Sequence, residues 1–232
     1  MKTIGLIGGM SWESTVPYYR LVNEGVKRRL GGLHSARLVL YSVDFHDIER
    51  MQVSGDWEAA GRALAAAARA LEAAGADFVV LCTNTMHKVA PAVEAAVRVP
   101  LLHIADATAA EIRKAGVARV GLLGTRFTME QAFYRDRLRD RHGIDVIVPP
   151  AGDREIVHRV IYDELCLGKT LDASRTQYLR IVADLVAAGA QGIVLGCTEI
   201  MLLIGPDDVP VPAFDTTSIH AEAAVELALA SV

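Results

Sequence analysis

The chain has 232 residues, 52% of them hydrophobic and 22% charged, with 24 basic side chains against 28 acidic ones. A composition this apolar folds around a sizeable core and excludes intrinsic disorder. The net charge of −4 leaves no basic face to neutralise phosphates, so nucleic acid is not an expected partner.

Short β-rich runs alternate with longer helical stretches along the chain, the pattern of an α/β protein with parallel strands. In chain order, strands are predicted at Ile4 to Ile7, Arg37 to Val43, Phe78 to Cys82, Leu101 to Ile104, Val120 to Leu123, Val146 to Val148, Ile193 to Leu195 and Val211 to Phe214. Among the helical stretches, Asp56 to Ala74 is the clearest, because alanine, leucine and arginine favour helix and Gly75 fits a helix C-cap. The apolar runs are far shorter than the roughly 18 residues of a membrane span, so no transmembrane helix is expected. The amino terminus reaches Gly8-Gly9 before a signal-peptide apolar region can form, and nothing there resembles a cleavage site. Cys82, Cys166 and Cys197 contain no CxxC pair, which argues against a disulfide framework and against a zinc site. These features predict a cytoplasmic protein with free thiols.

The most informative feature is an internal repeat. Leu71-Glu72-Ala73-Ala74-Gly75-Ala76-Asp77-Phe78-Val79-Val80-Leu81 aligns without a gap on Leu185-Val186-Ala187-Ala188-Gly189-Ala190-Gln191-Gly192-Ile193-Val194-Leu195, an offset of 114. Ile4-Gly5-Leu6-Ile7-Gly8 echoes Val120-Gly121-Leu122-Leu123-Gly124 at an offset of 116, and Val99-Pro100 echoes Val209-Pro210 at 110. Three echoes in one order predict a duplicated α/β unit: a first domain of 1–105 plus a terminal helix at 216–232, and a second of 106–215.

The 114-residue offset sets Thr83 against Cys197. Both fall just past the carboxyl end of a predicted strand, where open parallel sheets place their ligand sites. Two such groups, approaching one carbon from opposite sides across a cleft between the domains, suit stereochemical inversion. Cys197 is the candidate base. At a helix N-terminus its pKa would fall below the free value of about 8.5. Asn84, Thr85 and Thr198, with backbone N–H groups, are candidates to hold a carboxylate. Alternation along a strand turns Cys82 away from Thr83, so Cys82 is expected to be packed, and Cys166 among its leucines to be core. His87 falls inside the following helix and reads as structural. The seven histidines form no HExxH pattern, and the glycines lack the spacing of a dinucleotide fingerprint, so neither metal nor nicotinamide cofactor is implied.

Thr83-Asn84-Thr85 and Gly196-Cys197-Thr198-Glu199, preceded by Gly5-Leu6-Ile7-Gly8-Gly9-Met10-Ser11-Trp12, resemble the aspartate/glutamate racemase family, as do His103-Ile104-Ala105-Asp106, Leu122-Leu123-Gly124-Thr125, Glu164-Leu165-Cys166-Leu167-Gly168 and Phe214-Asp215-Thr216. The resemblance covers essentially the whole chain. It implies two pseudo-symmetric Rossmann-like domains with parallel sheets, an active site in the cleft between them, a homodimer, no cofactor and a small amino-acid substrate. It also implies two cysteine bases, one before each Thr or Asn-Thr motif. Here the first stands as Thr83, with a cysteine one place too early at Cys82. The Thr-Asn-Thr-Met-His form is similar to an L-aspartate/glutamate-specific subgroup, which implies that Cys197 takes the α-proton of the L-substrate while Thr83 serves the other face. By position, Met10, Ser11, Thr125 and Thr128 are candidates for the α-carboxylate. Arg50, Gln52 and Lys169 are candidates for the side-chain carboxylate, since an acidic substrate needs a cationic or amide partner. Glu199 would orient the substrate ammonium or cap its helix. A single-cysteine decarboxylase, a maleate-isomerase-like enzyme and a non-catalytic dicarboxylate-binding protein are the competing readings.

Overall fold

The structure, a computed structural model, describes residues 1–230. It divides into two compact units, Met1–His103 with the chain from His220 onward, and Ile104–Ile219. The first holds β1 (Ile4–Gly8), α1 (Trp12–Leu30), β2 (Leu38–Ser42), α2 (Phe45–Ser54), α3 (Trp57–Ala73), β3 (Phe78–Leu81), α4 (Ala90–Glu94) and β4 (Leu101–Leu102). The second holds α5 (Ile104–Lys114), β5 (Arg119–Gly124), α6 (Arg126–Glu130), α7 (Ala132–Asp136), β6 (Asp145–Ile147), α8 (Ala151–Asp163), α9 (Asp172–Ala187), β7 (Gly192–Gly196) and β8 (Ala213–Asp215). The unit boundary near the end falls inside α10 (Thr216–Leu229). Among the described residues no helix is long and apolar enough to cross a membrane.

Each unit contains one four-stranded parallel sheet, in the orders β2-β1-β3-β4 and β6-β5-β7-β8. All eight predicted strands are present. Their ends move where pairing stops: β4 pairs only with β3, over two residues, so Ile104 is released to open α5. The sequence echoes recur as register. Ile4 pairs with Phe78 in one sheet and Val120 with Gly192 in the other, the same pairing carried through offsets of 116 and 114.

The repeat has a physical basis in how helix and strand meet. In α3, Asp56 accepts a hydrogen bond from the Ala59 N–H at 2.9 Å and starts the helix. Its end is closed by Gly75 at φ +89°, with the Ala76 N–H reaching Leu71 O and the Gly75 N–H reaching Glu72 O. α9 ends identically at Gly189, with Ala190 bonded to Leu185 and Gly189 to Val186. After each turn the chain runs straight into an inner strand whose residues are all buried, as parallel strands covered on both faces must be. Alternation then sorts side chains. Ile7, Val79 and Leu81 pack with Leu64, Ala68 and Leu71 of α3, whereas Ile4, Leu6, Phe78, Val80 and Cys82 pack with Tyr18, Val22 and Val26 of α1 and with Ala221, Ala224 and Val225 of α10.

This packing has two measurable effects. A Cβ at Gly5 would lie 2.8 Å from Ala76 Cβ and 3.3 Å from Leu71 Cβ, and one at Gly121 would lie 3.0 Å from Leu185 Cδ1, the repeat partner of Leu71. Gly5→Val and Gly121→Val should therefore each lose about 1–3 kcal/mol, seen as a fall in Tm of roughly 2–10 °C by calorimetry. The second concerns His220, fully buried in α10, where Nε2–H donates to Leu102 O at 2.8 Å and Nδ1 accepts from Tyr18 O–H at 2.9 Å. Burial lowers its pKa from 6.5 to about 4. The unfolded chain then binds the extra proton first, so stability is lost as pH falls from 6.5 towards 4, by about 3 kcal/mol. Urea unfolding across that range, with NMR titration of the ring, checks both the sign and the assignment.

Candidate active site

In both sheets the strand order reverses direction at the inner pair, β1 with β3 and β5 with β7. Ligand sites of open parallel sheets lie beyond the carboxyl ends at such a switch point. In the first unit the residues there are Met10, Ser11 and Thr83 to Thr85, and in the second Thr125, Thr128 and Cys197 to Glu199. Every one of them is buried.

At the first turn the ladder continues one step past β3, the Cys82 N–H donating to Ile7 O at 2.9 Å. The chain then turns sharply as the Thr83 N–H bonds to Leu81 O at 2.8 Å, an i to i−2 closure centred on Cys82. Cys82 points into the core, fully buried, and burial pushes its thiol pKa well up. Thr83 is left at the edge. Asn84 and Thr85 lead into a 3-10 turn, Thr85–Val89. His87, in that turn, is buried as a structural residue should be, and its Nδ1 lies 2.7 Å from the Thr83 carbonyl oxygen. On the same side, Ser11 occupies the N-cap position of α1, and its carbonyl accepts from the hydroxyls of Ser14 and Thr15.

The second turn departs from the expectation of a thiol at a helix N-terminus. Cys197 leads into a 3-10 turn of three residues, Ile200–Leu202, too short to carry a macrodipole of consequence. The Cys197 pKa is shifted up rather than down, first by burial and then by the charge of Glu199. Glu199 stands at the N-cap position of that turn, but its side chain makes no capping hydrogen bond there. Its Oε2 accepts from the Cys197 thiol at 3.0 Å and from the Thr198 hydroxyl at 2.9 Å. A thiol aimed at a buried carboxylate is a proton donor with its acceptor in place, a feature that residue types and spacing alone do not announce. Tyr178 stands nearby, its pKa raised well above the ordinary value by burial and by the charges of Cys197, Glu164 and Cys166. Cys166 is half-buried at the rim of the core rather than inside it.

The remaining candidates separate. Thr125 caps α6, accepting from the Thr128 N–H at 3.3 Å, and the two hydroxyls are also 3.3 Å apart. Arg50 and Gln52 lie two residues apart on α2 and so face different ways. Gln52 is buried and donates to Met86 Sδ at 3.0 Å, whereas Arg50 is exposed and lines a groove of about 450 Å³ with Asp47, Glu49 and Asp56. Lys169 is exposed just after the Leu165–Leu167 turn. Among the described residues, no group of three His, Cys, Asp or Glu side chains is placed to hold a metal ion.

A Yersinia pestis protein, provisionally assigned as an Asp/Glu racemase, is 60% identical, with a TM-score of 0.92 over 99% of this chain and 100% of its own. An aspartate racemase homologue from Pyrococcus horikoshii OT3 is 38% identical, with a TM-score of 0.84 over 98% and 99% of the two chains. The broad-specificity amino-acid racemase RacX of Bacillus subtilis is 23% identical over 237 residues, 98% of each chain. The model of the Asp/Glu/hydantoin racemase family matches residues 7–224, a span that takes in both strand-end turns, and the chain belongs to that family.

Proposed function

We propose that the protein racemises acidic amino acids, L-aspartate or L-glutamate, without a cofactor, with Cys197 and Thr83 as the two groups that move the α-proton. The observation that carries this reading is the 3.0 Å contact from the Cys197 thiol to Glu199, set at the same strand end that Thr83 occupies in the other unit.

The chemistry is that of the groups present. Cys197 first passes its thiol proton to Glu199, which the buried carboxylate permits once the substrate ammonium supplies a compensating positive charge. The thiolate takes the α-proton, and the electron pair left on Cα delocalises into the α-carboxylate. That growing charge is held by hydroxyl and N–H donors of the turns, with Ser11, Asn84, Thr85, Thr125 and Thr198 as the candidates; one such donor is worth about 3 kcal/mol of barrier. The Thr83 hydroxyl then gives its proton to the opposite face and is refilled from water, and the hydroxide so formed takes up the proton held by Glu199, which restores the starting state. An alcohol is a far weaker acid than a thiol, so the two directions are unequal and the L-forms are the better substrates. Arg50 and Lys169, exposed and cationic, are the partners for the side-chain carboxylate. Gln52 and Met10 act behind them by shaping the wall. The three free cysteines suit a reducing, cytoplasmic setting. On α1, Trp12, Val16 and Tyr19 lie at i, i+4 and i+7 and are 65%, 56% and 53% exposed, an apolar stripe that supports a homodimer.

Incubation of L- and D-forms of both amino acids in D₂O, with NMR of the α-proton and chiral separation, tests the reading. Wild type should exchange and invert from the L-forms. Cys197→Ser should lower exchange by at least about 100-fold, whereas Thr83→Val should keep exchange and lose inversion by a similar factor. Exchange at the wild-type rate in Cys197→Ser would reject the assignment. Glu199→Gln separates the two functions of the carboxylate. Removing its charge lowers the Cys197 pKa, so alkylation of that thiol at pH 7.5, followed by mass spectrometry, should speed up while turnover slows. Unchanged alkylation would mean that Glu199 does not control the thiol.

A further inference from the structure

Beneath the Thr83 turn lies a cluster of buried titratable side chains that the reaction above does not use. His87, His103 and His220 are all buried, with exposures of 2%, 5% and 0%. The His87 ring lies 4.4 Å from that of His103 and 5.9 Å from that of His220, centroid to centroid. His220 is in turn fixed by the Tyr18 hydroxyl and the Leu102 carbonyl. The cluster belongs wholly to the first unit.

Its point of contact with the strand-end turn is a single hydrogen bond. The partner of His87 Nδ1 is the Thr83 carbonyl oxygen, which can only accept, so Nδ1 carries the proton. Thr83 is thereby held on both sides. Its N–H is bound to Leu81 O and its C=O to His87, which leaves the stiff, β-branched χ1 as the side chain's remaining freedom. The second unit solves the same problem differently. There the carbonyl of Cys197 accepts from the backbone N–H of Ile200 at 3.1 Å, and the position aligned with His87 is Met201. An imidazole thus does at the threonine turn what a backbone amide does at the cysteine turn.

We propose that His87 is a positioning residue for Thr83, its Nδ1–H fixing the turn that aims the hydroxyl and its ring braced between His103 and His220. The inference rests on the racemase reading for its functional consequence. Thr83 is the weaker of the two acids, so its step depends most on correct placement, since misplacement by about 1 Å can cost about 100-fold.

The test uses two variants with opposite losses. His87→Phe keeps a ring between His103 and His220 but has no donor; His87→Asn keeps an N–H near the place of Nδ1 but has no ring. With L-aspartate and L-glutamate in D₂O, His87→Phe should leave α-proton exchange within about twofold of wild type and lower inversion at least tenfold. His87→Asn should restore inversion to within about threefold. Thermal unfolding is followed on both variants, so that a folding defect is seen directly. Equal loss of exchange and inversion in both variants, or unchanged inversion in His87→Phe, overturns the proposal. A wild type without exchange would sink the racemase reading instead. In that case ¹⁵N NMR of the wild-type imidazoles still decides the geometry: a protonated, slowly exchanging His87 Nδ1 at pH 7.5 supports the positioning bond, and an Nε2–H tautomer overturns it.

Discussion

The register between the two inner strands of each sheet is the constraint on which the candidate site depends. β1 and β3 are buried along their whole length, as is β7, while β5 is buried from Val120 onward, so each must present apolar side chains on both faces of its sheet at once, in the first unit to two separate clusters. A slip of one residue would exchange the faces, sending Val79 and Leu81 towards α1 and α10 and Phe78 and Val80 towards α3. Once Ile4 is opposite Phe78, Cys82 is the last residue the ladder can reach, and the next residue has to turn. Thr83 stands at the sheet edge for that reason. The same pairing of Val120 with Gly192 delivers Cys197. Glycine is part of this constraint, because α3 and α9 close down on β1 and β5 at Gly5 and Gly121, where side chains would hold helix and sheet apart.

On that shared frame the two turns carry chemically unlike groups. The thiol at Cys197 is buried beside a carboxylate, and both features favour its protonated form. Under the proposed reaction this is a resting state that does not react with adventitious electrophiles, and ionisation is tied to the arrival of a cation. In a site of low dielectric the ammonium of an amino acid has a large effect on a neighbouring acid, larger than it would have in water. The base strength that matters under the proposed reaction therefore belongs to the liganded protein. At Thr83 the first unit supplies placement: two backbone bonds, one of them to the His87 ring, and buried imidazoles packed behind that ring.

Much of this architecture was legible in the sequence, for identifiable reasons. Eight strands and the duplication could be read because an Ala-Gly-Ala turn after a leucine closes a helix in one way only, and because covered parallel strands leave uninterrupted apolar runs. The alignment of Thr83 with Cys197 followed without a structure. Other features were hidden because they depend on what the chain does after a strand ends. Cys197 looked like the start of a helix, yet Gly205 and Pro206 lie close behind, and only a three-residue 3-10 turn forms. The contact between Cys197 and Glu199 spans two residues, a separation that brings side chains together in a tight turn and parts them in a helix, so it could not be inferred under the helical assumption. Arg50 and Gln52, grouped together in the sequence, part because they stand two residues apart on α2, a separation that turns side chains to different faces of a helix. His87 reads from the sequence as a structural residue of the following helix; it lies in a 3-10 turn, and its partner, a carbonyl, was hidden because backbone acceptors leave no mark in a sequence.

The asymmetry between the turns also bears on how a duplicated fold diverges. In each unit the strand-end carbonyl must be satisfied, since a buried backbone acceptor left open costs about 1–3 kcal/mol. At Cys197 the following turn is tight enough for the Ile200 N–H to do this, and the side chains beyond are free for other tasks, Glu199 among them. At Thr83 the carbonyl takes the side chain of His87, and that ring has to be buried with neighbours of its own, which draws in His103, His220 and Tyr18. Neutral imidazoles suit this setting, because each can donate from one nitrogen and accept at the other without importing a charge. Protonation would end that arrangement, and at His220 burial holds it off. One strand end is therefore organised around a carboxylate that accepts two hydrogen bonds, the other around buried imidazoles that fix a backbone carbonyl, and the inequality of the two proposed groups follows from that difference.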